Sequence, residues 1–183
     1  YFMQAREYLW ELIEEVTGAR LTISWGRVGG LKGDLPDGFA ERMHKAFAGV
    51  REQLAVGDKL LSRNRIFLDR MCDVAPVTAE EAIEYSLTGP LLRASGVSYD
   101  VRKAFPYSSY EDFQFEVPLG TKGDNFDRFI VRFQEIEQSL KICEQAMKNL
   151  PGGSIAVEDP HIVLEAKDEV YNSIDGMINH FEM

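Results

Sequence analysis

Residues 124–150 read DNFDRFIVRFQEIEQSLKICEQAMKNL. Phe129, Phe133, Ile136, Leu140, Cys143, Met147 and Leu150 recur at alternating steps of four and three, which puts them in one stripe of a helix. The spacing predicts a long helix from about Asp124 to Leu150 that packs lengthwise on a bundle partner through an a/d seam. Cys143 lies on that seam and reads as core filler, not as a nucleophile. Glu137 and Lys141 stand four apart on the outer face as a favourable pair. Pro151-Gly152-Gly153 closes the helix.

Working upstream, residues 87–124 lose helical periodicity and are rich in Gly, Pro, Ser and Tyr. Irregular segments this long are uncommon and tend to be functional or disordered. The aromatics Tyr99, Phe105, Tyr107, Tyr110, Phe113 and Phe115 favour order, with one short strand expected at Phe113–Val117. Arg63, Arg65, Arg70, Arg93, Arg102 and Lys103 alternate with Asp69, Asp73, Asp100 and apolar residues, a pattern expected to form partly buried ion-pair networks. Before this segment, Thr78-Ala79-Glu80-Glu81 is a capping box opening a short helix that stops near Gly89-Pro90.

Earlier still, Phe39, Met43, Phe47, Val50 and Leu54 mark a helix from about Gly38 to Val56, with Asp37 as N-cap and a shorter helix from Asp58 to about Phe67 behind it. Ala5, Leu9, Leu12, Ile13 and Val16 mark a first helix, stopped at Gly18. Between the two lies LTISWGRVGGL, residues 21–31: a short extended stretch running into a glycine-rich loop. Downstream of the long helix, an isolated apolar run at Ser154–Val157 precedes a last helix with Val170, Ile174, Met177, Ile178 and Phe181 on one face.

The composition narrows the function. With 20 Lys+Arg against 30 Asp+Glu, the formal net charge is −10. That argues against nucleic acid, whose phosphates need clustered cations, and against direct docking on anionic lipid. Cys72 and Cys143 are the 2 cysteines, too few and too far apart for a metal site of the CxxC type built by this chain alone. His44, His161 and His180 lack the spacing of a zinc site. The loop Gly26-Arg27-Val28-Gly29-Gly30 is neither GxGxxG nor GxxxxGK[ST], so it does not read as a phosphate cradle. It is a tight turn anchored by Arg27, or a place where glycine lets a partner or cofactor approach the backbone.

Taken together the motifs resemble a known family. Arg63-Asn64-Arg65-Ile66-Phe67-Leu68-Asp69-Arg70, Thr88-Gly89-Pro90-Leu91-Leu92-Arg93-Ala94-Ser95-Gly96, Tyr99-Asp100-Val101-Arg102-Lys103, Phe115-Glu116-Val117-Pro118 and Glu135-Ile136-Glu137-Gln138-Ser139-Leu140 occur in order. Gly18-Ala19-Arg20, Arg27-Val28-Gly29-Gly30, Asp34-Leu35-Pro36 and Met177-Ile178-Asn179-His180-Phe181 fit the same pattern. The whole set resembles the D-type subunits of proton-pumping NADH:quinone oxidoreductase, respiratory complex I.

The resemblance implies a mainly α fold with small β elements, a helical bundle core like that of the large subunit of nickel–iron hydrogenases, truncated at both ends. Residues 1–183 would form the central portion of one such domain. It implies an enzyme subunit, inactive in isolation, of a translocase that carries electrons from NADH to quinone in the respiratory chain. A small iron–sulfur subunit would be its partner, and the quinone chamber would lie between them beside the terminal cluster. The other peripheral-arm subunits would be partners as well.

No cofactor would be held by this chain alone. The family's quinone-head histidine and tyrosine would precede Tyr1, and its C-terminal Ala-Pro-Lys-Gly-Glu motif would follow Met183, so no catalytic residue is expected here. Arg27, Thr22, Gly29 and Gly30 are the residues that the resemblance puts near the cluster and chamber. Thr22 stands where many relatives carry a histidine. The expected location is the cytoplasmic face of the bacterial inner membrane, with membrane contact through partner subunits. Two other readings are a structural or assembly module and a member of a related membrane-bound hydrogenase or ferredoxin- or deazaflavin-linked complex.

Overall fold

The computed structural model describes residues 1–159, 162–163 and 165–182. Its described elements are mainly helical: α1 (Phe2–Thr17), β1 (Gly26–Arg27), β2 (Gly30–Leu31), α2 (Phe39–Leu61), α3 (Arg65–Met71), α4 (Ala79–Glu84), α5 (Gly89–Ala94), α6 (Val101–Ala104), a 3-10 turn (Tyr110–Asp112), α7 (Asn125–Lys148), α8 (Lys167–Asn172) and α9 (Ile174–Glu182). They fall into two compact units, Tyr1–Tyr8 with His44–Leu150, and Leu9–Met43 with Pro151–Met183. No described helix is long and apolar enough to cross a membrane.

The first unit is built around α7. Asp124, 1% exposed, caps it by accepting the Asp127 N–H at 2.9 Å, and its second oxygen accepts the Asp73 N–H at 2.7 Å. The predicted seam is one of two packed faces. On one, Phe129 and Phe133 stack against each other and edge-on against Phe67 and Phe2. The other carries Val131, Gln138 and Ile142, all buried, and α5 packs on α7. Having neighbours on two sides spreads burial beyond the a/d seam, of which Leu140 is buried. Cys143 is exposed, contrary to its expected place as core filler, and Leu150 is 55% exposed. Glu137 does not serve Lys141; it accepts from Arg51 of α2, whose guanidinium also reaches Glu144.

Several local expectations change for physical reasons. α2 continues through Gly57 to Leu61, because the Phe2 ring lies where a Gly57 side chain would begin: an added Cβ would meet Phe2 Cε1 at 2.8 Å. The next helix therefore starts only at Arg65, capped by Asn64. The Thr78 capping box forms as expected, but its helix ends at Glu84. Gly89 and Pro90 open α5, with Pro90 in the first turn, where its missing N–H is harmless. Residues 113–117 form no strand. Their backbone groups bond to side-chain amides of α7: Gln114 exchanges two bonds with Gln145, and the Glu116 N–H donates to Gln138 Oε1 at 3.1 Å.

In the second unit, Leu9, Leu12, Ile13 and Val16 of α1 are half-buried, and Gly18 ends the helix at φ +83°. The last helical stretch is split: α8 ends before Ser173 and α9 begins at Ile174.

Candidate functional site

The four residues singled out from the sequence lie in the second unit, three of them in the β1–β2 hairpin. The strands are antiparallel, with Gly26 opposite Leu31 and Arg27 opposite Gly30, so Val28 and Gly29 make the turn. Gly29 sits at φ +83°, in the left-handed region that favours glycine. Below the strands, the Lys32 N–H donates to the Trp25 carbonyl at 2.9 Å and the Trp25 indole N–H to the Gly33 carbonyl at 3.0 Å.

The hairpin is completed by a distant segment. The Leu31 N–H donates to the Ile155 carbonyl at 3.0 Å, the Val157 N–H donates to the Gly29 carbonyl at 2.9 Å, and Gly30 bridges Ala156. Gly30 has φ +154°, and a Cβ there would lie 2.6 Å from Ala156 Cα and closer still to the Ile155 carbonyl oxygen. The close backbone approach that Gly30 permits is thus to residues 155–156 of the same chain, and a Cβ on Gly29 would instead run into the Val163 side chain. The isolated apolar run at Ser154–Val157 is the sequence signal for that partner, and spacing alone does not join it to Gly29 and Gly30.

The remaining side of the hairpin faces outward. Thr22 and Arg27 are exposed, and so are Leu21, Ile23 and Val28, at 62%, 54% and 77%. Two other cations of the unit are engaged: Arg20 donates to Glu14 at 2.7 Å, and Arg42 pairs with Glu15. The Arg27 side chain makes no hydrogen bond or ion pair with any described residue. The hairpin thus joins a hydrogen-bonded backbone to a cation whose side chain has no partner among the described residues, with exposed apolar residues near it in sequence. Among the described residues it contains no nucleophile–base pair and no acid positioned for proton transfer.

The charged cluster expected in the irregular segment forms in the first unit, with fewer members. Arg93, 7% exposed, donates from Nε to Glu135 at 2.6 Å and from Nη1 to the Tyr99 carbonyl at 3.2 Å, and lies 4.0 Å from Asp100. Asp100 also takes Arg102 at 2.6 and 3.0 Å. The Arg102 guanidinium holds the Asp100 carboxyl below the usual carboxylate range, against the opposing effect of burial, and lies 4.8 Å over the Phe115 ring. Arg63, Arg65 and Arg70 stay exposed outside this network, Arg65 in a loose pair with Asp69 at 3.7 Å. The two arginines and two acids cancel in charge and use their hydrogen-bonding groups on one another, which is the chemistry of a scaffold.

Among the described residues no group of three His, Cys, Asp or Glu is placed to hold a metal ion. His44 and His180 are exposed, and His161 lies outside the described residues. Cys72 is half-buried.

Comparison with known proteins supplies what the geometry leaves open. A family model described as the 49 kDa subunit of respiratory-chain NADH dehydrogenase matches residues 1–183. The chain is 45% identical over 183 residues to the D-type NADH-quinone oxidoreductase subunit of Pelobacter propionicus, covering 100% of this chain and 45% of that protein. It is 48% identical over 181 residues to the D-type subunit of Myxococcus xanthus, covering 99% and 44%. The C/D-type subunit of Bdellovibrio bacteriovorus is 43% identical over 181 residues, 99% of this chain and 32% of that protein. The chain thus spans less than half the length of these relatives.

Proposed function

The chain belongs to the family of the 49 kDa subunit of respiratory-chain NADH dehydrogenase, and from that premise we propose that it serves in an NADH:quinone oxidoreductase, where its hairpin faces the partner that holds the terminal iron–sulfur cluster. The observation that carries this reading is the outward side of the hairpin, where Arg27, unpaired among the described residues, stands beside exposed Leu21, Ile23 and Val28. Exposed apolar side chains together with an arginine have the composition of a protein interface. The acidic balance of the chain, −10, disfavours an anionic lipid surface as the alternative cover.

In such a complex electrons would come from NADH and leave on quinone, in a chamber shared with the iron–sulfur partner. This chain's contribution is positional and electrostatic. Gly29 and Gly30, locked to residues 155–157, hold the turn at a fixed depth. Arg27 brings a positive charge to the interface, which favours the more electron-rich state of a redox centre across it, and more strongly as water is excluded. Thr22 offers a hydroxyl at the same edge and no group that titrates near neutral pH. Membrane association would come through partner subunits.

Isolation from the source membrane tests the reading. The chain should co-purify with an iron–sulfur protein and with membrane components of the oxidoreductase; their absence defeats the proposal. In the same preparation Arg27→Glu should weaken association with the iron–sulfur partner while leaving the melting temperature of the purified chain unchanged. An intact complex with unaltered cluster potential in that variant would remove Arg27 from the interface.

A further inference from the structure

We draw no further inference here: the strongest candidate, the cavity of about 450 Å³ between α8 and α9 lined by Glu165, Val170, Tyr171, Met177, His180 and Phe181, carries none, because nothing in the structure shows what covers this face.

Discussion

Arg93→Met should cost the first unit about 3 kcal/mol, and the structure says where the loss arises. Removing the guanidinium leaves Glu135, whose side chain is 17% exposed, without its cation, and deprives the Tyr99 carbonyl of a donor. Breaking a buried pair from one side costs about 3–5 kcal/mol because a desolvated charge is left behind. Two features hold the figure at the lower end. Asp100 keeps its bonds from Arg102, and Glu135 retains enough exposure to gain water. Urea unfolding followed by far-UV circular dichroism is the assay. With a slope of about 2 kcal/mol per molar, the midpoint should fall by about 1.5 M.

The double variant Arg93→Met with Glu135→Leu separates desolvation from packing. If the orphaned carboxylate is the main penalty, removing it as well should restore about 2 kcal/mol, since a buried ion pair exchanged for apolar groups of similar volume is often neutral. Arg93→Lys should fall between parent and Arg93→Met, keeping the charge and losing the forked geometry. A loss below about 1 kcal/mol for Arg93→Met, or a double variant as unstable as the sum of its single changes, would refute the claim that this network is a desolvated, mutually dependent unit.

Gly30→Ala should cost about 2 kcal/mol or more, since both the φ of +154° and the Ala156 backbone oppose a side chain; the shifted Trp25 indole N–H resonance reports it, while Gly33→Ala, which meets nothing within 4 Å, should stay within about 0.5 kcal/mol. Burial raises the Asp124 pKa but the N–H groups of Asp127 and Asp73 outweigh it, and Asp100 and Glu144 are lowered by arginine. Depressed carboxylates stabilise above their unfolded pKa of about 4 and lose that contribution as pH falls through the folded values. The urea midpoint should therefore hold from about pH 7 to 5 and drop below about pH 4, and Asp124→Asn should be about 1–3 kcal/mol less stable at neutral pH with a shallower acid decline; an unchanged acid slope removes Asp124 from the account. In the intact complex, Thr22→His should steepen the pH dependence of the terminal cluster's potential toward about 59 mV per pH unit, and redox titration showing an unchanged slope would sink the proposed place of Thr22.

What could be read from the sequence was what local chemistry decides. The Thr78 box and the Gly18 stop satisfy the orphan groups of their own helix ends within a turn, so no distant residue can overrule them. The misreadings share the opposite property. Gly57 looks like a break until Phe2 lies over it, Glu137 looks outward until Arg51 arrives, and residues 113–117 look like a strand until Gln138 and Gln145 take the role of a neighbouring strand. In each case the deciding group comes from an element far away in the chain.

The hairpin shows why that distinction matters for function. A paired glycine turn states that something comes close to the backbone and is silent about what. Once residues 155–157 are found against Gly30 and the Val163 side chain against Gly29, both glycines are explained by the fold and cease to be independent evidence for a ligand. What the fold leaves unused is the outward side of the hairpin. Burying Leu21, Ile23 and Val28 in a partner would be favourable at about 25 cal/mol per Å², but apolar area alone would accept many partners. An unpaired Arg27 within that area would be costly to bury unless the partner supplied negative charge or an electron-rich centre. In the proposed interface selectivity would therefore rest on Arg27, and a change of charge there tests it more sharply than any change to the glycines that shape the turn.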